Sequence, residues 1–183
     1  MSKVLYIGFE PGVRDDASAI LGDPPKPGNW KQETYEEKLP EMREKALASA
    51  HNDLRVSAIK DIVVLDPSTG TTSGYETLLD LTDAYIVGFS PKFRLRQAAW
   101  NNMRDLGGPV PKWIWCEGYD GVEFIDLYKL SGAKEDGMRL VDMVNFLLPA
   151  GVEGSTPARQ DAAAALEVAK KMGITDPSVL HFS

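Results

Sequence analysis

Tyr85 to Trp100 reads YIVGFSPKFRLRQAAW. Its first part, from Ala84 to Phe89, is an apolar run of the length and β-branched content of a buried strand. Pro91 cannot continue that strand. From Arg94 to Leu106 the pattern predicts a helix, stopped by Gly107-Gly108-Pro109. A buried strand turning directly into a helix is the repeating step of an α/β sheet.

Working outward, the same pattern recurs. Lys3 to Phe9 (KVLYIGF) is a second short apolar run, halted at Glu10-Pro11-Gly12, and reads as a buried strand. Val56 to Leu65 (VSAIKDIVVL) is a third, followed by the turn signal Asp66-Pro67-Ser68-Thr69-Gly70. Tyr75 to Leu81 predicts a short helix. Trp113 to Cys116 and Val122 to Leu127 predict strand pieces. Arg139 to Leu148 predicts a helix with Leu140, Val144, Leu147 and Leu148 inward. Thr156-Pro157 opens a last helix by the cap-then-proline rule and carries it to about Met172. Ala162, Ala165, Leu166, Ala169 and Met172 form its apolar face.

Two stretches stand apart. Leu21 to Trp30 (LGDPPKPGNW) holds three prolines and two glycines in ten residues, which rules out regular structure. Glu33 to Ala50 places Tyr35, Leu39, Met42 and Ala46 on one helical stripe, with Pro40 expected to kink or split it. The fold class is therefore α/β: a mixed β-sheet flanked by helices, one domain over residues 1–183. Residues 21–50 are an insertion of loop and charged helix, and 156–183 a C-terminal helix and tail.

Composition narrows the chemistry. The chain has 183 residues, 43% hydrophobic, with a net charge of −7, one cysteine and two histidines. That length buries roughly 70% of the unfolded surface, enough for a core without disulfides or structural zinc. No run approaches the ~18 apolar residues of a membrane span. MSKVLYIGF lacks the apolar core and cleavage site of a signal peptide, so a cytoplasmic protein is expected. The negative charge argues against a generic nucleic-acid coat but leaves room for a local basic strip. Thr69 to Gly74 (TGTTSG) lacks the lysine and glycine spacing of a P-loop and reads as a turn. Cys116 reads as an inert core thiol, and neither His51 nor His181 suggests a ligand. Trp113 and Trp115 alternate, so on a strand both would face the core.

Taken in order, GFEPG, PPKPGNWKQETYEEKLPEMREKALAS, YETLLDL, YIVGFSPKFRLRQAAW, PVPKW, FIDLYKLSG, RLVDMVNFLLPAG and QDAAAALEVAKKMGI form a recognisable series. It resembles the 3′-5′ exonucleases of the ribonuclease H-like fold, the DEDD superfamily. Within that superfamily it is similar to phage and bacterial proteins related to the proofreading exonuclease of family B DNA polymerases. The resemblance implies a ribonuclease H-like mixed sheet and two-metal hydrolysis. In that chemistry two Mg or Mn ions, roughly 4 Å apart, are held by four carboxylates and activate a water.

The family's first motif is Asp-x-Glu at the end of the first strand; here it is Gly8-Phe9-Glu10. The second puts an Asp in the turn after the VGF strand, where this chain has Arg94. The third is an Asp on the last helix, matched by Asp161, with Pro157 where Tyr or His is expected. Two of four ligands are thus absent and one is replaced by a cation. The resemblance implies that Glu10 and Asp161 are residual catalytic and metal positions. Lys92, Arg94 and Arg96 are either a phosphate-gripping patch, ion-pair partners or a solvated helix face. Asp126 is expected to organise a loop and not to hold a metal.

Three functions follow as expectations. The first is a degenerate, cofactor-free exonuclease-fold protein. It binds nucleic acid or a replication or phage protein, in the host cytoplasm or a virion. The second is an active exonuclease using Mg or Mn through a shifted ligand such as Asp15 or Asp16. The third is an acidic inhibitor or interaction protein. They part on the charge of the surface around the old cleft: positive with Lys92, Arg94 and Arg96 favours strand binding, acidic favours metals or mimicry. Arg94 within salt-bridge reach of Glu10 and Asp161 would close the site to two-metal chemistry.

Overall fold

The computed structural model describes residues 3–106, 108–153 and 156–174, with the side chains of His51 and residues 104–106 excepted. His181, the tail beyond residue 174 and the helix stop at Gly107 lie outside the described residues. In chain order the elements are β1 (Lys3–Val13), α1 (Ala17–Leu21), α2 (Gln32–Ser49), β2 (Ser57–Asp66), β3 (Thr71–Ser73) and β4 (Ala84–Gly88). They continue with α3 (Pro91–Leu106), α4 (Lys112–Trp115), β5 (Val122–Asp126), α5 (Leu127–Leu130), α6 (Leu140–Leu147) and α7 (Pro157–Lys171). No helix among the described residues is long and apolar enough to cross a membrane.

The strands form one mixed five-stranded sheet in the order β3-β2-β1-β4-β5. β1 and β4 run parallel, Lys3 opposite Ala84 through Tyr6 opposite Val87. β4 and β5 are also parallel, ending with Gly88 opposite Asp126. β2 and β3 are an antiparallel hairpin. Side chains of a strand alternate between faces. On one face Tyr6, Val87, Phe89 and Ile125 pack into a core with Ala165 and Val168 of α7. Leu5, Ile7 and Ile86 point the other way and are buried, as are Leu95 and Ala99 of α3 and Trp113 of α4. The α/β reading of the sequence is thus met, with helices packed against a mixed sheet.

The chain divides into two compact units, one from Met1–Glu10 and Asp61–Ser183, the other from Pro11–Lys60. The second is wider than the 21–50 insertion. Its small core is Ala17, Ala50 and Val56, with Val13, Leu21 and Leu47 against them. No residue of α2 is fully buried; its expected stripe (Tyr35, Leu39, Met42, Ala46) is half-buried. The proline-rich loop is tied to α2 by polar contacts. The Tyr35 hydroxyl donates to the Pro24 carbonyl at 2.7 Å, and Arg43 pairs with Asp23 at 2.7 Å.

Several local expectations are corrected. β1 does not stop at Pro11-Gly12. It runs to Val13, because Gly12 leaves room for the Lys60 Cβ, 2.8 Å from where a Cβ of its own would stand. α2 does not split at Pro40. The carbonyl left without an amide, that of Glu36, belongs to an exposed residue, where water can satisfy it. Trp113 to Cys116 is a helical turn instead of a strand, closed by the Cys116 N–H donating to the Lys112 carbonyl. Trp113 is therefore buried, while Trp115 and Cys116 are exposed. The last helix opens as read: Thr156 caps α7 by accepting the Arg159 N–H.

Candidate functional site

Three elements meet where the sequence pointed: the end of β1, the first turn of α3 and the N-terminal half of α7. Gly8 sets their spacing. A Cβ built on it would stand 2.0 Å from the Ala158 carbonyl oxygen and 2.3 Å from the Ala162 nitrogen. Both are backbone atoms of α7, which cannot swing aside as a side chain could. Helix and strand are thus in backbone contact at this point. Position 8 has no space for any side chain.

That contact carries Asp161 onto β1. Its Oδ2 accepts the Phe9 N–H at 2.9 Å. The same oxygen accepts from Arg94 Nη1 at 3.3 Å, and the two side chains are only 21% and 25% exposed. The Arg94 guanidinium also lies over the Phe9 ring, 5.8 Å from its centroid. Burial pushes the Asp161 carboxyl above its ordinary range, while the Phe9 N–H and the charge of Arg94 pull it back. The ion pair expected between Arg94 and the residual acids is therefore present at Asp161. Glu10 is half-buried two residues beyond Gly8, with its Cβ on the same face of the strand.

The other two cations point elsewhere, because residues two apart on a helix lie on opposite sides. Lys92 pairs with Glu117, whose carboxyl it holds below the usual range, with Arg96 and Lys129 adding to the effect. Arg96 donates through Nε to the Ile114 carbonyl at 2.7 Å and through Nη2 to that of Trp115 at 3.0 Å. It thereby fixes the end of α4. Lys92, Arg94 and Arg96 thus divide between two directions, only Arg94 reaching Asp161.

Asp126 organises its loop, as expected. Its carboxylate accepts the Ser90 N–H at 3.0 Å across the sheet and the Tyr128 N–H at 3.0 Å as the cap of α5. Ser90 sits at φ 48, a left-handed conformation that this bond helps to hold. Asp15 and Asp16 belong to the second unit, and Asp16 is paired with Arg14 at 2.7 Å. What sequence reading missed is a set of exposed aromatics. Phe93, Trp100, Trp115 and Tyr119 are each at least 41% exposed. The spacing of Phe93 and Trp100, seven residues apart on one helix, was the available signal.

The donor set does not fit two divalent cations. Gly8 offers no ligand and no space for one, Arg94 brings positive charge, and Asp161 is engaged by an N–H and a guanidinium. Among the described residues no three His, Cys, Asp or Glu side chains gather as a metal would require. Set beside protein-family models, curated proteins and solved structures, the chain matches none of them.

Proposed function

We propose that this protein is a non-cleaving relative of the DEDD exonucleases. In this reading it has a ribonuclease H-like fold whose cleft has closed, and it serves as a binding or scaffolding module for nucleic acid or for a replication or phage protein. The mixed sheet, with β1, β4 and β5 parallel beside an antiparallel β2–β3 hairpin, is the kind of sheet this reading expects. One observation carries the functional half. Backbone atoms of α7 fill the space beside Gly8 at 2.0 Å and 2.3 Å. Two-metal hydrolysis needs carboxylates around an open position for water and the scissile phosphate. A helix backbone against the strand leaves no room for a carboxylate at position 8.

The test is an incubation of the protein with 3′-labelled single-stranded DNA in Mg or Mn, beside a Glu10→Gln variant. The expected result is no EDTA-sensitive shortening in either. Shortening that EDTA abolishes and Glu10→Gln removes would overturn the proposal.

A further inference from the structure

Large apolar side chains gather in water on one surface of α3 and the segment after it. Phe93 and Trp100, seven residues apart, lie on one line of α3 away from the buried Leu95 and Ala99, and are 65% and 58% exposed. Met103, 47% exposed, follows Trp100 one turn on. Arg96 lies between them and donates to the carbonyls of Ile114 and Trp115, which ties α4 beside this line. There Trp115 is 41% and Tyr119 43% exposed, while Trp113 turns the opposite way and packs on Phe124 with ring centroids 5.8 Å apart. Four aromatic rings and a methionine thus share one outer surface.

The size of this patch says what can cover it. An aromatic side chain carries about 150–250 Å², so at their exposed fractions the four rings leave about 300–500 Å² in water. A standard interface takes about 800 Å² from each partner, and in homodimers about 65% of it is apolar, or about 520 Å². The patch therefore supplies most of the apolar share of such an interface. Its residue types (Phe, Trp, Tyr, Met and Arg) are those enriched in interface cores. The neighbouring charges are already matched within the chain. Lys92 pairs with Glu117, Arg96 faces the same carboxylate while bonded to two carbonyls, and Arg94 turns to Asp161. Lys112 lies over the Tyr119 ring, 5.4 Å from its centroid. A two-fold axis sets a face against itself, so strong net charge would repel it, and a matched face is free of that cost. A polyanion, by contrast, needs cations free to meet its phosphates.

We infer that this face is the interface of a two-fold homodimer, the rings of Phe93, Trp100 and Trp115 in one copy packing against the same surface of the other. Two-fold pairing is the commonest closed arrangement of identical chains, and it uses one patch twice. Aromatic rings meeting across the axis gain offset or edge-to-face contacts beyond the area they bury. The inference goes beyond the proposed function and does not rest on it.

Sedimentation velocity of the full chain over about 1–100 μM reads the assembly state, since interfaces of this size hold at micromolar concentration or tighter. A monomer–dimer equilibrium is expected, and Trp100→Ala weakens it by at least about 30-fold, the loss that marks an interface hot spot. Phe93→Asp sets two like charges near the axis and abolishes it. Phe146→Asp, at an exposed apolar position of α6, leaves it unchanged. Circular dichroism checks that each variant keeps the parent's fold, and Trp100→Ala carries the test by itself if Phe93→Asp disturbs α3. The dimer also persists in about 1 M salt, because apolar burial is not screened. A monomer at every concentration overturns the inference, as does a dimer indifferent to Trp100→Ala. So does a dimer that dissolves in 1 M salt, which would be held charge to charge, or growth past the dimer, which would mean a head-to-tail contact. Shortening of DNA in Mg removes the proposed function and leaves this interface standing; a monomer does the reverse.

Discussion

Gly8→Ala is the smallest change that bears on the closed cleft. It adds one methyl, which would stand 2.0 Å from the Ala158 carbonyl oxygen, 2.3 Å from the Ala162 nitrogen and 2.9 Å from its Cα. Ordinary contact is about 3.5 Å, so α7 has to retreat by about 1.5 Å at its nearest atom. Such a shift stretches the 2.9 Å bond from the Phe9 N–H to Asp161 to about 4 Å, beyond hydrogen-bond range. Overpacking costs about 1–3 kcal/mol and the orphaned amide about 1–3 more. The expected loss is therefore about 2–6 kcal/mol, out of the 5–15 typical of a domain, or a fall in Tm of about 5–20 °C. Urea unfolding followed by far-UV circular dichroism measures it, with Gly28→Ala as the control. Gly28 has nothing within 4 Å of its added carbon, and that variant is expected to stay within about 1 kcal/mol of the parent. If Gly8→Ala proves as mild as Gly28→Ala, α7 is not seated on β1. A carboxylate at position 8 would then fit, and the argument for a closed site fails with it.

Two further outcomes follow from the same geometry. Arg94→Met removes the charge that holds the Asp161 carboxyl down, so its midpoint, already raised by burial, moves higher in a carboxyl NMR titration. Because the folded value lies above the unfolded one, stability falls as pH rises between the two, and the variant extends that decline to higher pH. An unmoved titration would mean that the 3.3 Å pair does not form in solution. Asp126→Ala strips the acceptor from the amides of Ser90, Tyr128 and Lys129 at 3.0, 3.0 and 3.3 Å. It is expected to cost about 2–4 kcal/mol by chemical denaturation. Asp126→Asn, which keeps an oxygen in place, loses less; equal losses would show that the carboxylate's bonds are not the cause.

The central strands and the helices α3, α6 and α7 were legible because each is a long, strongly patterned segment with its own stop and start signals. What escaped depends on contacts distant in sequence. KWIW alternates like a strand, yet it is a helical turn whose last carbonyls are held by Arg96, some 18 residues away. Alternation puts Trp115 in the core beside Trp113, and apolar neighbours put Cys116 there; both are exposed. β3 is three residues of Thr and Ser, paired only because the turn before it returns the chain to β2. At the site, sequence singled out Gly8, Glu10, Arg94 and Asp161, and the structure brings Arg94 to Asp161. The sequence did not reveal that Gly8 is where two backbones touch, because a missing side chain and a forbidden one look alike in a sequence.

The three site residues make sense only as a set. Bringing α7 against β1 requires glycine at position 8. Once there, the helix carries Asp161 to the Phe9 amide and out of water, and a buried carboxylate is costly unless a cation and a donor face it. Arg94 is that cation, seated over the Phe9 ring on the far side of the same oxygen. Any one of these changes alone destabilises the other two. A carboxylate at position 8 pushes the helix away; an aspartate at position 94 sets two like charges side by side; without Asp161, Arg94 is half-buried and loses its acidic partner. In the reading proposed here, one acid and one cation do for this cleft what four carboxylates and two metal ions do for an exonuclease. The charge of Asp161 is balanced within the protein, and the space beside Gly8 is filled by the helix backbone. A carboxylate at position 8 therefore meets a steric barrier and one at position 94 an electrostatic barrier, so Gly8, Arg94 and Asp161 form a self-consistent set.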